Sequence, residues 1–421
     1  MKKYIYLYLM LMTSVVLVSC SGDEGPGAER EPDLDDEFVA QREETVLGGA
    51  TARFLITHDL TKEVAAEVHA AVTKSLNYGL EEACYFREIL TRDEGWAKIV
   101  AESEKGEGIA GLFSQGGTGK YGLTADDITR LIEGDYQIYW PYSEYWDGET
   151  LPAVTFVPEL ADSIQVFYGS TGYQISDAGV EKILVDEDLL REGAVWVVSI
   201  ADIPYAELPD FNAGEREKDG VCYLGRRDAD AECDRPTMAP QSESGKLEPW
   251  GKFCLGKFMA DYQFDKWCRG GSEFDISFTQ YSGDYISTLK ELREVRATTT
   301  TIRFVRTRDD IRSRRWIDFN DFVLEPRWYD NEDGVFSIRE INGGERITQQ
   351  FVCTMGVGGE KYGFLSEDYD IERENDVVCY RNSIAHFMVS NPSINNPGVP
   401  FGGPAMGIYW THPLKTGRDR Y

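Results

Sequence analysis

A thiol is the first chemistry this chain offers. Cys20 follows Leu17-Val18-Ser19, and behind Lys2 and Lys3 the run from Tyr4 to Val18 is apolar. A charged start, a short apolar stretch and small residues before a cysteine are what a lipoprotein signal peptidase reads; the cysteine is then diacylated and left as the mature N-terminus. The spacing predicts a signal peptide over 1–19 and lipidation, palmitate included, at Cys20. The membrane would be reached through that lipid, because a span needs about 20 apolar residues. Acyl chains contribute about 0.8 kcal/mol per buried methylene, so several hold an N-terminus firmly to a leaflet.

Seven cysteines remain, in a compartment where disulfides persist. Six fall in close pairs, Cys222 with Cys233, Cys254 with Cys268, and Cys353 with Cys379. Six thiols allow 15 pairings, and nearest-neighbour bridges are the expectation. Cys84 is left over on the apolar side of an expected helix and reads as a buried thiol. No C-x-x-C pair and no histidine at ligand spacing accompany these cysteines, so a zinc site is not expected.

For hydrolysis the inventory is thin. The four histidines are His58, His69, His386 and His412; no G-x-S-x-G elbow and no H-E-x-x-H occur. Gly116-Gly117-Thr118-Gly119-Lys120 fails the phosphate-loop pattern at Ser114 and at Tyr121. What the chain does carry is 73 acids, enough to build an Asp/Glu pair whose meeting in space the sequence does not show.

Three further clusters invite a ligand. Asp228 and Asp230 with Glu232 and Asp234, and Asp330 with Asp333, place acids as a calcium loop would, yet neither has the glycine and glutamate of an EF-hand. Calcium is therefore the one cofactor considered, against a default of none. Tyr139, Trp140, Tyr142, Tyr145 and Trp146 could stack on sugar rings, although alternate strand residues must face inward. Arg303, Arg306 and Arg308 open a basic stretch that could take an anionic glycan or a protein partner bidentately.

These residues need elements to position them. Gly22 to Glu37 holds eight acids against one arginine and reads as a tether over 20–47. A helical region follows over 48–134: Val64, Val68, Val72 and Leu76 recur every four residues, a second helix is expected from Leu80 to Leu90, and Thr124 with Asp127 forms a capping box closed by Gly134. These helices could form a small bundle. From 135 to 210 the texture is that of short strands in a small, mostly antiparallel sheet; 211–249 is polar and reads as a loop; 250–421 is strand-rich throughout and suits a β-sandwich. The fold class expected is α+β. A formal net charge of −30 repels phosphates, so no nucleic-acid partner is expected.

The block IYWPYSEYWDGETLPAVTFVPE at 138–159, with VWVVSI at 195–200, GGSEFDISF at 270–278 and ERENDVVCYRNSIAHFMVSN at 372–391, resembles a group of lipoproteins of gut Bacteroides-type bacteria. The acidic Asp23-Glu24 behind Cys20 is similar to their signal for export to the outer face of the outer membrane. The resemblance implies an outer-membrane lipoprotein facing the cell exterior and a two-part architecture; it implies no catalytic residue. The expectation is thus a surface protein with a non-catalytic binding or interaction role toward a glycan or protein ligand. The alternative is a glycan- or peptide-directed hydrolase using an Asp/Glu pair. Carboxylates of raised pKa in a cleft would speak for the enzyme, and a flat aromatic or arginine-rich patch for binding.

Overall fold

A computed structural model describes residues 47–58, 60–90, 122–157, 169–225, 250–282, 296–329, 333–342, 351–357, 360–366, 377–385, 400–411 and 414–416. The fold is mixed α+β, with several sheets and a strand-rich C-terminal region. Cys20, the signal and the tether up to residue 46 lie outside the described residues, as do Gly116–Lys120, Cys233, His386 and His412.

The first sheet collects β1 (Ala83–Tyr85), β2 (Tyr136–Tyr139), β3 (Ala153–Phe156), β4 (Ser170–Ser176), β5 (Gly179–Val185) and β6 (Val195–Ile200) in the order β1-β2-β6-β3-β4-β5. Only β3 and β6 run parallel. Its helices are α1 (Leu47–Thr57), α2 (Lys62–Asn77), α3 (Phe86–Leu90), α4 (Ala125–Glu133) and α5 (Glu187–Glu192). Thr61 caps α2 by accepting from the Val64 amide, and α4 starts in the reciprocal Thr124–Asp127 box and stops at Gly134. Among the described residues the helices pack chiefly on the sheet. Phe54 of α1 and the stripe Val64, Val68, Val72 of α2 share one core with Ile138, Trp140, Phe156, Trp196 and Val198 of the sheet. Alternate strand residues present a broad apolar face, which covers a helical stripe more fully than a second narrow stripe would.

The Leu80–Leu90 segment departs from the expected helix. Ala83, Cys84 and Tyr85 pair with Tyr139, Ile138 and Gln137, and only Phe86–Leu90 is helical. A buried ladder outweighs a helical preference worth a few tenths of a kcal/mol per residue. The expected loop after residue 211 also holds a hairpin, β7 (Glu217–Lys218) and β8 (Val221–Tyr223), turned at Asp219-Gly220, both with positive φ.

The C-terminal region contains β9 (Trp250–Ala260), β10 (Ser272–Ser282), β11 (Arg296–Arg306), α6 (Arg308–Arg312), β12 (Ile317–Tyr329), β13 (Asp333–Ile341), β14 (Phe351–Val357), β15 (Glu360–Ser366), β16 (Val377–Ala385), β17 (Phe401–Gly403), β18 (Ile408–Trp410) and β19 (Leu414–Thr416). One sheet runs β16-β13-β10-β11-β8-β7; another runs β12-β9-β18-β17, with β19 also on β9. Phe253 and Phe258 of β9, Phe274, Ile276 and Phe278 of β10, Phe304 of β11, Phe336 of β13 and Trp410 of β18 share one core. The opposite face of β10, with Glu273, Asp275, Ser277 and Thr279, is buried too.

The cysteine pairing needs correction. Cys268 and Cys379 are free thiols, so the expected Cys254–Cys268 and Cys353–Cys379 bridges are not formed. Cys254 is buried on β9, whereas Cys268 packs with Val185, Leu190 and Trp267 in a different apolar cluster. The Cys379 thiol donates to the Val377 carbonyl at 3.6 Å. Cys222 is disulfide-bonded. Cys84 is buried and free, as expected, though on a strand.

Candidate functional site

The strongest concentration of titratable groups lies where the turns of the first sheet meet the end of β10. Glu81 sits in the turn between α2 and β1, Asp202 just beyond β6, Asp265 in the connection from β9 to β10, Glu273 near the start of β10, and Glu340 near the end of β13. All five are buried. Carboxylate oxygens of Glu81, Asp202 and Glu273 all lie within 4.8 Å of one another, and so do those of Asp265, Glu273 and Glu340.

Local structure forces this crowding. Gly270, at φ +142°, passes so close to Glu81 that an added Cβ would fall 1.7 Å from Oε1, so only glycine leaves room for the carboxylate. Gln137 of β2 donates to Glu81 Oε2 at 3.1 Å. Arg269 lies 3.6 Å from Asp202. The buried Arg308 at the start of α6 donates to the Asp265 carbonyl at 3.0 Å and faces Glu187 at 3.6 Å.

Electrostatics follow from burial. Desolvation raises the Glu81 carboxyl to about 7 and Asp265 to about 6, with Arg308 opposing both shifts. Burial, reinforced by Glu81, pushes Glu273 well up; burial, reinforced by Asp265, pushes Glu340 up. Glu81 Oε1, Asp265 Oδ2, Glu273 Oε2 and Glu340 Oε1 meet no amide, hydroxyl or guanidinium donor; Glu81 instead hydrogen-bonds to Glu273, and Asp265 to Glu340. A cavity lined by Glu81, Gln137, Asp202, Glu273, Ser75 and Tyr85, among others, leaves about 10 Å³ for the centre of a water-sized body, roughly one water or one ion. Such a group of carboxyls can share protons.

The residues singled out in the sequence are placed elsewhere. Tyr139 and Trp140 are buried, and Trp140 packs on His69, Trp146 and Trp196. Trp146 donates to the Thr150 carbonyl at 2.8 Å, and His69 Nε2 lies 3.0 Å from the Ser143 carbonyl. Tyr142 packs partly buried against the Tyr139 cluster, which leaves Tyr145 as the exposed ring of the five. Of the expected aromatic platform, two rings are core, two are half-buried and one is exposed. The arginine stretch divides: Arg303, Arg306 and Arg308 are buried, while Arg312, Arg314 and Arg315 are exposed. Arg303 grips Asp275 through Nε at 2.7 Å and Nη2 at 2.8 Å, and Arg306 lies 3.6 Å from Asp310. The chain's own acids take these guanidinium groups, since a buried charge is tolerated only when paired. Of the calcium candidates, Asp228, Asp230 and Asp330 lie outside the described residues; Asp333 opens β13 and pairs in register with Tyr281.

None of the five clustered acids was marked out by its spacing in sequence. The available signal was Gly270-Gly271-Ser272 ahead of Glu273-Phe274-Asp275-Ile276: paired glycines before a strand whose first alternating polar positions are Glu273 and Asp275. Compared with family models, curated proteins and solved structures, the chain matches none of them.

Proposed function

We propose that this chain is a lipid-anchored protein of the outer membrane, held through Cys20 with its body facing the exterior, and that it acts by binding a protein partner rather than by catalysis. The likeness to lipoproteins of gut Bacteroides-type bacteria and the signal ahead of Cys20 support the address. The C-terminal sheets, joined through one aromatic core, are read as a β-sandwich serving as the scaffold.

The observation that carries the binding role is the β4–β5 hairpin. β5 is an edge strand of the first sheet, Ile175 faces Val180 across the hairpin, and Val180 and Leu184 are 45% and 68% exposed. An edge strand with apolar side chains in solvent is a template for a partner chain. A glycan ligand has less support, because Tyr139, Trp140, Arg303, Arg306 and Arg308, which would recognise it, are in the core. The hydrolase reading has its raised carboxyls but not its cleft, since the space beside them admits about one water.

Two measurements on intact cells test this. Wild-type protein should fractionate with the outer membrane and be shaved by added protease, and Cys20→Ala should be released to the soluble fraction; a wild-type chain in the soluble fraction sinks the address. A photo-crosslinking residue at position 184 should give one discrete protein adduct that one at Asp177 does not. Retention on a polysaccharide panel with no adduct would instead restore the glycan reading, and release of sugar or peptide by purified protein would restore the enzyme.

A further inference from the structure

We propose that the turn Arg312-Ser313-Arg314-Arg315-Trp316, with Tyr145 and Tyr262 beside it, is a docking surface for a short acidic segment of a partner protein. All five turn residues are exposed. Among the described residues the exposed aromatic side chains are Tyr145, Tyr262 and Trp316, and all three gather here. Tyr145 donates to Asp309 Oδ2, which also takes Arg315 Nη2. Tyr262 follows Asp261, whose carboxylate lies 3.9 Å from Arg314, and Trp316 follows Arg315 directly. Tryptophan, tyrosine and arginine are the types enriched where protein interfaces hold most of their binding energy, because each combines a wide flat face with a polar edge.

The backbone of the turn adds a second observation. Arg314 closes α6 in the left-handed conformation, at φ +50°, with its amide donating to the Ile311 carbonyl and that of Arg315 to the Asp310 carbonyl. Glycine makes that closure without steric cost, so local structure does not call for an arginine there. The Arg314 side chain is 70% exposed and holds Asp261 only loosely, while the Tyr409 hydroxyl already donates to that carboxylate. Arg312 forms no ion pair among the described residues. Arg315 is spent on Asp309 and Asp310. Two guanidinium groups are thus open to the bidentate grip of a carboxylate. The rest of the chain selects what brings it. A formal net charge of −30 repels a polyanion whose charges continue past the turn, since exposed charges act over about 8 Å at physiological ionic strength. A polysaccharide acidic along its length is therefore disfavoured, whereas two or three carboxylates on an otherwise uncharged stretch of protein meet only the turn. The same repulsion fixes where such a segment lands. Nothing in this depends on the β4–β5 hairpin, and either surface can fail alone.

Fluorescence anisotropy tests this with detergent-solubilised full-length protein and a fluorescein-labelled peptide of four aspartates around one tyrosine, flanked by glycine and serine. Saturable binding in 50 mM salt is expected, weakened about tenfold by Arg312→Ala and by Arg314→Gly and weakened again in 0.5 M salt. A matched peptide with asparagine for aspartate should not bind. Arg314→Gly should also melt at or above the wild-type temperature, because glycine suits the left-handed position, so its lost binding is not lost folding. Arg130→Ala, which removes an exposed arginine of α4, should bind as wild type does. No saturable binding, or equal binding by wild type, Arg312→Ala and Arg314→Gly, overturns the docking surface. Polygalacturonate that binds more tightly than the peptide at matched carboxylate concentration, and loses that binding in Arg314→Gly, overturns the protein partner in favour of an acidic glycan.

Discussion

Glu273 and Asp275 stand two residues apart on β10, on the same face and both buried, and they meet opposite surroundings. Asp275 receives the fork of Arg303 and lies 3.6 Å from Arg339, which is itself fully buried on the neighbouring β13. Glu273 faces Glu81, Asp202, Asp265 and Glu340. One strand thus carries a carboxylate neutralised by the protein and a carboxyl that needs a proton or an ion from outside. The difference separates a permanent structural charge pair from a place where the chain responds to its medium.

The largest effect should come from breaking the satisfied member. Asp275→Ala strands Arg303 and Arg339 in the interior, and losing one partner of such a buried network costs about 3–5 kcal/mol. Urea denaturation should show the midpoint collapsing or the chain failing to fold. A midpoint near wild type would mean the two guanidinium groups find other acids, and the contrast with Glu273 would dissolve.

The same removal at Glu273 should cost far less. Burial already pushes that carboxyl well up, so Glu273→Gln replaces a neutral group by a neutral group and its urea midpoint should stay within roughly 1 kcal/mol of wild type. A loss as large as that of Asp275→Ala would show that Glu273 is held as a charge paired by the protein.

Acidity sharpens the contrast further. Glu81 and Asp265 carry folded-state values of about 7 and about 6, above their ordinary 4.5 and 3.8. The folded chain therefore binds more protons than the unfolded one between those limits, and stability from these two groups is fully present below about pH 4 and lost as pH rises through 6 and 7. The melting temperature of wild type should fall between pH 5 and 8 relative to Glu81→Gln. A wild-type curve parallel to that of Glu81→Gln would mean Glu81 is ionised throughout.

How much of this was legible beforehand divides along the same strand. Phe274, Ile276 and Phe278 alternate as a core-facing row should, and the helix signals at Thr61 and Thr124 led to real caps. Local chemistry fixes such features, so they are visible in a short window. The alternating Glu273, Asp275, Ser277 and Thr279 spelled a solvent face by the same rule, and the structure buries it. Whether a polar row meets water or partners depends on residues far away in sequence: Arg303 is 28 positions from Asp275, and Gln137 is 56 from Glu81. The aromatic cluster misled for the related reason that Tyr139 and Trp140 look alike in sequence whether they line a groove or fill a core. Cys254 and Cys268 misled because closeness in sequence says little about which apolar cluster a thiol enters.

The smallest effect belongs to a third carboxylate environment, one whose guanidinium partner is half exposed. Asp309 accepts from Tyr145 Oη at 2.9 Å and from Arg315 Nη2 at 2.9 Å, while Arg315 Nη1 reaches Asp310 at 2.8 Å. These contacts resemble those of Asp275 in geometry, but the Arg315 side chain is 49% exposed and water competes for it. Exposed pairs contribute about 0–1 kcal/mol, and a tyrosine hydrogen bond about 1 kcal/mol at most. Tyr145→Phe and Arg315→Ala should each lower the urea midpoint by less than about 1 kcal/mol, and the Arg315 effect should shrink further in 0.5 M salt as screening sets in. The same guanidinium–carboxylate contact would then range from about 1 kcal/mol at Asp309 to several at Asp275, with burial as the variable that changed. A loss at Arg315→Ala matching that of Asp275→Ala, and insensitive to salt, would show that contact geometry and not burial sets the strength.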